Sequence, residues 1–191
     1  NPDTSDGIFV FSGDANFVNV GQLVQVTGNV VEFNFGSTGG TLTELTSPQI
    51  EVCSSGASVN PTDVTLPLSD AAALERYEGM LVRFTQTLYV TEHFQLGRFG
   101  SIVLSSGGRL PQPTNIVDPG AAAIAQQSTN NLNRLVVDDD LQTQNPDPIK
   151  IGRNGSPLSA TNTLRGGDTI SGLTGVLTQT DATTAANVPA T

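Results

Sequence analysis

The chain has 191 residues, an apolar fraction of 37% and a formal charge of −10. That is enough for one ordinary domain or two small ones, and too apolar for disorder throughout. Its only cysteine, Cys53, excludes an internal disulfide and any cysteine-based zinc site, and no apolar run of about 18 residues is present to span a membrane.

The charge is unevenly placed. No Lys or Arg precedes Arg76, whereas nine of the 18 carboxylates do, and the eight basic residues from there on nearly balance the remaining acids. The N-terminal part therefore repels a polyanion, and only the later part offers it a cationic surface. Cys53 is expected as a small buried apolar side chain. No signal peptide begins at Asn1, and the chain, opening on NPDTSDG and closing on NVPAT, is expected to be a piece of a longer protein.

Strand signals dominate in chain order. GIFVF (7–11) is short and apolar; QLVQVTGNVVEF (22–33) alternates, with Gly28 in mid-strand where a bulge or bend is expected. GSTGG (36–40) is a turn, TLTEL (41–45) alternates until Pro48 ends it, and IEVCS (50–54) closes this group. Residues 54–68 form a polar, proline-bearing connector. In SDAAALERYEGM, Ser69 or Asp70 caps a short helix that Gly79 ends. MLVRFTQTLYVTEHF (80–94) is long enough to bend midway and serve two faces. SIVLSS (101–106), RLVVDDD (134–140) and DTISGLTGVLTQ (168–179) follow as strands, with a short helix over 121–133 and an exposed loop over 145–157.

One phrase occurs twice. GQLVQVTGNV (21–30) and GMLVRFTQTL (79–88) share Gly, Leu, Val and Thr at matching positions, and GDTISGLTGV (167–176) echoes them with a one-residue shift around Gly172. Period and length predict an all-β fold of tandem OB-like Greek-key barrels with one or two short helices. The first barrel would occupy residues 1–54, incomplete at its N-terminus. A linker and short helix would fill 55–78, and a second barrel 79–191, its closing strand supplied by TTAANVPAT or missing.

The strings SDGIFVF, VGQLVQVTGNVVEF, ERYEGMLVRF, LGRFGSIVLS, GGRLPQPTNIVDPG, NRLVVDDD, QNPDPI and GDTISGLTGVL together resemble a region found in large secreted bacterial nucleases. There it precedes a catalytic domain of the endonuclease/exonuclease/phosphatase superfamily. The resemblance runs over roughly residues 4–178. It implies a secreted or cell-surface protein and a non-catalytic OB-like accessory region that positions polynucleotide or the downstream nuclease domain. In that superfamily the active centre combines metal-binding carboxylates with paired histidines. Here His93 is the only histidine, expected as a strand-surface side chain, so Mg²⁺ or Mn²⁺ chemistry would belong to the downstream domain.

Several residues are candidates for contact with a ligand. FQLGRFG (94–100) sets Phe94, Arg98 and Phe99 near Tyr89 and Arg83 of the preceding strand, a mixture suited to stacking single-stranded bases beside cations, though phenylalanines in barrels commonly belong to the core. Arg109 in GGRLPQP adds a cation, but in a loop without the strand-to-helix setting of a phosphate cradle. Asp3 and Asp6 in NPDTSDG have oxygen-ligand spacing for Ca²⁺, or form a plain turn; by resemblance the run continues an acidic, calcium-loop-like stretch upstream. In VVDDD only Asp138 and Asp140 share a strand face and could hold one ion; otherwise they are a solvated strand end or turn. A different class of function remains open: a structural β module of an extracellular assembly, self-associating through unpaired strand edges with TDATTAANVPAT as donor.

Overall fold

The computed structural model describes residues 4–13, 18–34, 40–141 and 143–178. Their strands are β1 (Phe9–Phe11), β2 (Gln22–Asn34), β3 (Thr41–Ser55), β4 (Thr62–Val64), β5 (Leu81–Phe84), β6 (Leu88–Glu92), β7 (Ile102–Ser106), β8 (Leu135–Val137), β9 (Thr169–Ile170) and β10 (Leu173–Val176). The helices are α1 (Leu96–Phe99) and α2 (Ala121–Asn131). The fold is mostly strand, and its strands lie in three sheets of order β1-β3-β2, β10-β5-β4 and β8-β7-β6-β9. Among the described residues no sheet closes on itself, so neither expected barrel is present there as a closed sheet.

The first sheet is a long ribbon. β2 and β3 pair antiparallel from Gln22–Ser55 to Asn34–Thr41, and β1 runs parallel to β3 beside Glu44, Leu45 and Thr46. The pairing skips from Thr27–Gln49 to Asn29–Thr46, which places the expected bulge at Gly28. A side chain there would begin 2.9 Å from the Thr46 carbonyl oxygen, so the crossing requires glycine. Contrary to the expected break at Pro48, β3 runs on to Ser55: Pro48 lies within the bulge, where its missing N–H removes no ladder bond. Residues 36–39 of the expected turn lie outside the described residues.

The other two sheets share one core. Val64, Leu66, Val82, Phe84, Leu88, Val90, Leu96, Ile102, Leu104, Leu135, Val137 and Leu177 pack together, with Ile149, Ile151 and Leu158 of the long loop against them. The 80–94 stretch bends as expected, giving β5 to one sheet and β6 to the other. Gly172, at a φ of 68°, likewise divides β9 from β10, which pair in different sheets. β4 and Leu66, in the expected linker, belong to this body. The expected helix over 69–79 is instead a turn ending in a single 3-10 segment, Glu75–Tyr77. Asp70 Oδ1 accepts the Ala72 N–H at 3.0 Å as a cap, but Gly79 (φ 70°) stops the chain before an α-helix can propagate.

The repeated phrase thus forms a strand in each place but meets different surroundings. Val82, Phe84 and Leu88 are buried in the body, whereas their counterparts Val24 and Val26 are half-buried and Val30 is 68% exposed. Leu23 stands beside Ser54 at the ribbon surface, while Leu81 pairs with Val176 in the body. Among the described residues before Val64, Leu42 is the only buried apolar side chain, so the ribbon has no core of its own. Cys53, expected inside, is exposed on β3 for the same reason.

Candidate functional site

The ribbon presents the largest unsatisfied surface. Register places Phe9 and Val31 on either side of Glu44, and Phe33 across from Leu42; Val30 lies across from Leu45, which Val10 flanks on the other side. Phe9, Phe11, Val30, Val31, Leu23 and Val52 are all exposed. Large apolar side chains exposed along both faces of one ribbon are unusual for a monomer surface. Among the described strands, β2 has β3 as its only neighbour, and the other edge of β3 is covered only over Glu44–Thr46. The sequence carries a sign of this: Val30 and Val31 are adjacent, so they put apolar groups on both faces at once, and the described residues up to 54 form no second layer to cover them.

The expected cation–aromatic cluster is spread out. Arg83 sits on β5 and grips Asp63 of β4, Nε to Oδ1 at 2.7 Å and Nη2 to Oδ2 at 3.0 Å; this hydrogen-bonded guanidinium holds the Asp63 carboxyl below its usual range. Tyr89 is half-buried in the other sheet between Ser105 and Thr169. Phe94, in the lead-in to α1, is 90% exposed, while Leu96 of the same helix enters the core. Arg98 is exposed and lies over the Phe99 ring, 4.8 Å from its centroid. Arg109 packs against Gly166, whose Cβ would come within 2.9 Å of the guanidinium carbon. Arg98 and Phe99 are therefore the members that share one element, with Phe94 in the turn that leads into it.

The acidic candidates are turn-formers. Asp138 is buried, and its Oδ1 accepts the Asp140 N–H at 3.0 Å; burial pushes its carboxyl up to about 6. Asp139 is buried too, its Oδ1 accepting the Leu141 N–H at 3.1 Å while Oδ2 has no partner and lies against Gly100. Of the solvated strand end or turn expected for this run, the turn is found, but solvation holds only for Asp140, which is exposed with φ 60°. Alternation stops at Val137, so these carboxylates follow turn geometry rather than strand faces. Among the described residues no group of three His, Cys, Asp or Glu side chains is arranged to hold a metal ion. Asp3 lies outside the described residues; Asp6 is exposed, its N–H 3.4 Å from the Met80 sulfur. His93 is exposed at the end of β6.

No family model, curated protein or solved structure matches the chain.

Proposed function

We propose that this chain is a non-catalytic, extracellular β module that assembles by strand addition to its N-terminal ribbon. The observation that carries the reading is the β2–β3 ribbon: long, apolar on both faces, without a core, and with most of its edges not covered by described strands. The occupant we assign is residues 180–191 of a neighbouring copy. A second ribbon would bring Glu32, Glu44 and Glu51 against the same three carboxylates, with no cation before Arg76 to offset them. The tail carries a single carboxylate, Asp181, and no bulky side chain. Light scattering during size-exclusion chromatography tests the reading. Concentration-dependent oligomers that vanish when residues 180–191 are deleted support it; a monomer at every concentration overturns it.

A second reading has its own support. Phe94 is almost wholly exposed in the turn before the helix that carries Arg98, and the sequence resembles the region ahead of a secreted-nuclease catalytic domain. In that reading the two sheets of the body form an open OB-like fold that offers a stacking platform to single-stranded polynucleotide and positions the downstream domain. Fluorescence anisotropy with labelled single-stranded DNA at low salt tests it. Binding lost in both Arg98→Glu and Phe94→Ala supports the platform, and the absence of any binding tighter than about millimolar removes it.

A further inference from the structure

The ribbon meets the body at a narrow junction. Ser5 Oγ donates to the Glu78 carbonyl oxygen, and Gly7 lies so close to Gly79 that a Cβ on Gly79 would stand 3.0 Å from the Gly7 carbonyl carbon. The turn they rest on is tied into the body: the Gly79 N–H donates to Leu177 O at 2.7 Å and the Leu177 N–H to Met80 O at 3.0 Å.

The Glu78 side chain lies inside this junction. It is 8% exposed, receives a hydrogen bond from the backbone of Thr43 on β3, and its Oε1 has no partner. The charges acting on it are Glu75, from its own turn, and Glu32, from β2. Among the described residues the other carboxylates on the segments joined here are Asp6 in the N-terminal segment and, on β3, Glu44, which is buried, and Glu51; Tyr77 and Cys53 are the remaining titratable side chains, and no Lys, Arg or His lies on these strands. The neighbouring cation, Arg76, is engaged elsewhere, its Nε donating to Ala73 O at 3.3 Å and its guanidinium lying over Tyr77. A buried carboxylate with an orphaned oxygen and, among the described residues, only like charges acting on it disfavours the closed junction when ionised.

We propose that Glu78 is a proton-operated latch that seats the ribbon on the body in acid and releases it as the pH rises. Burial first, and Glu75 second, raise this carboxyl above its ordinary 4.5. The latch is therefore fully closed below that ordinary value and is lost as the pH rises through the raised one. Such release would free ribbon surface whatever partner the ribbon takes, so the latch stands or falls independently of the assembly reading.

The exposed, single Cys53 on β3 provides a reporter. With a pH-insensitive fluorophore on Cys53 of the full chain, anisotropy reads how rigidly the ribbon tumbles with the body. Between about pH 4.5 and about pH 8 the anisotropy of the parent chain is expected to fall, and that of Glu78→Gln to stay high. Asp138→Asn, which alters a different buried carboxyl, keeps the fall. Amide exchange, corrected for intrinsic rates, supplies a second readout: protection at Gly7 and Ile8 decreases with pH while Leu104 stays protected. A flat profile in the parent chain overturns the latch, as does an unchanged fall in Glu78→Gln. So does a Glu78→Gln chain whose anisotropy is low throughout while Leu104 remains protected.

Discussion

Arg83 and Asp63 are register partners in the parallel β4–β5 pair, and their side chains close a two-pronged ion pair on its outer face. A guanidinium committed in this way offers little net charge to a phosphate. Arg83→Ala is accordingly expected to leave any affinity for single-stranded DNA unchanged, whereas Asp63→Ala, which releases the cation, raises it. Anisotropy at low salt measures both, and the pair being solvent-exposed, neither variant shifts the thermal midpoint appreciably.

The duplicated phrase supplies a matched pair of substitutions. Leu88 and Val30 occupy the same place in the two copies, yet one is wholly buried and the other is exposed. Leu88→Ala is expected to cost roughly 2–5 kcal/mol by emptying part of the core. Val30→Ala should change stability by less than about 0.5 kcal/mol. Urea unfolding of both variants checks the contrast.

Asp138 gives the body its own dependence on pH. Its folded value, about 6, lies above the ordinary 3.8 because the carboxyl is buried. The stability this group contributes is thus fully present below 3.8 and is lost as the pH rises through about 6. Asp138→Asn keeps an oxygen to accept the Asp140 N–H and removes the ionisation. Urea midpoints taken across that window should slope downward in the parent chain and less so in the variant.

Gly7 and Gly79 meet backbone to backbone, leaving no room for a side chain on Gly7. Gly7→Ala is expected to unseat the ribbon without unfolding the body. Mobility of a Cys53 label should rise to the same level at acid and neutral pH, while the urea midpoint of the body stays within experimental scatter of the parent.

Local chemistry was legible wherever a signal acts over a few residues. Gly28 announced a bulge and the length of 80–94 announced a bend, whereas Gly172, expected as a one-residue shift within a single strand over 168–179, breaks that stretch into β9 and β10. The alanine-rich start of 121–133 announced α2. Misreadings came where two local signals competed. Pro48 looked like a strand end, but a proline already inside a bulge loses no ladder bond. The capped alanine run at 70–74 looked like a helix, but Gly79 left too few residues to propagate one.

The candidate site was less legible, because exposure is not a local property. FQLGRFG contains two phenylalanines, and nothing in their spacing says that Phe94 faces water while Leu96 fills the core. VVDDD looks like a solvated run, yet Asp138 and Asp139 are buried in the turn that follows β8. Glu78 attracted no notice in ERYEG, since its isolation depends on β2 and β3 arriving from over thirty residues upstream.

The sequence by itself determined where the chain extends, where it bends, and which residues share a strand face, because steric limits and side-chain alternation act between near neighbours. Only the tertiary structure decided which of those faces acquires a covering layer. The phrase shared by residues 21–30 and 79–88 builds a strand in both places, but burial requires a second surface brought in from distant parts of the chain. The body supplies one to Leu88, and the ribbon leaves Val30 in water.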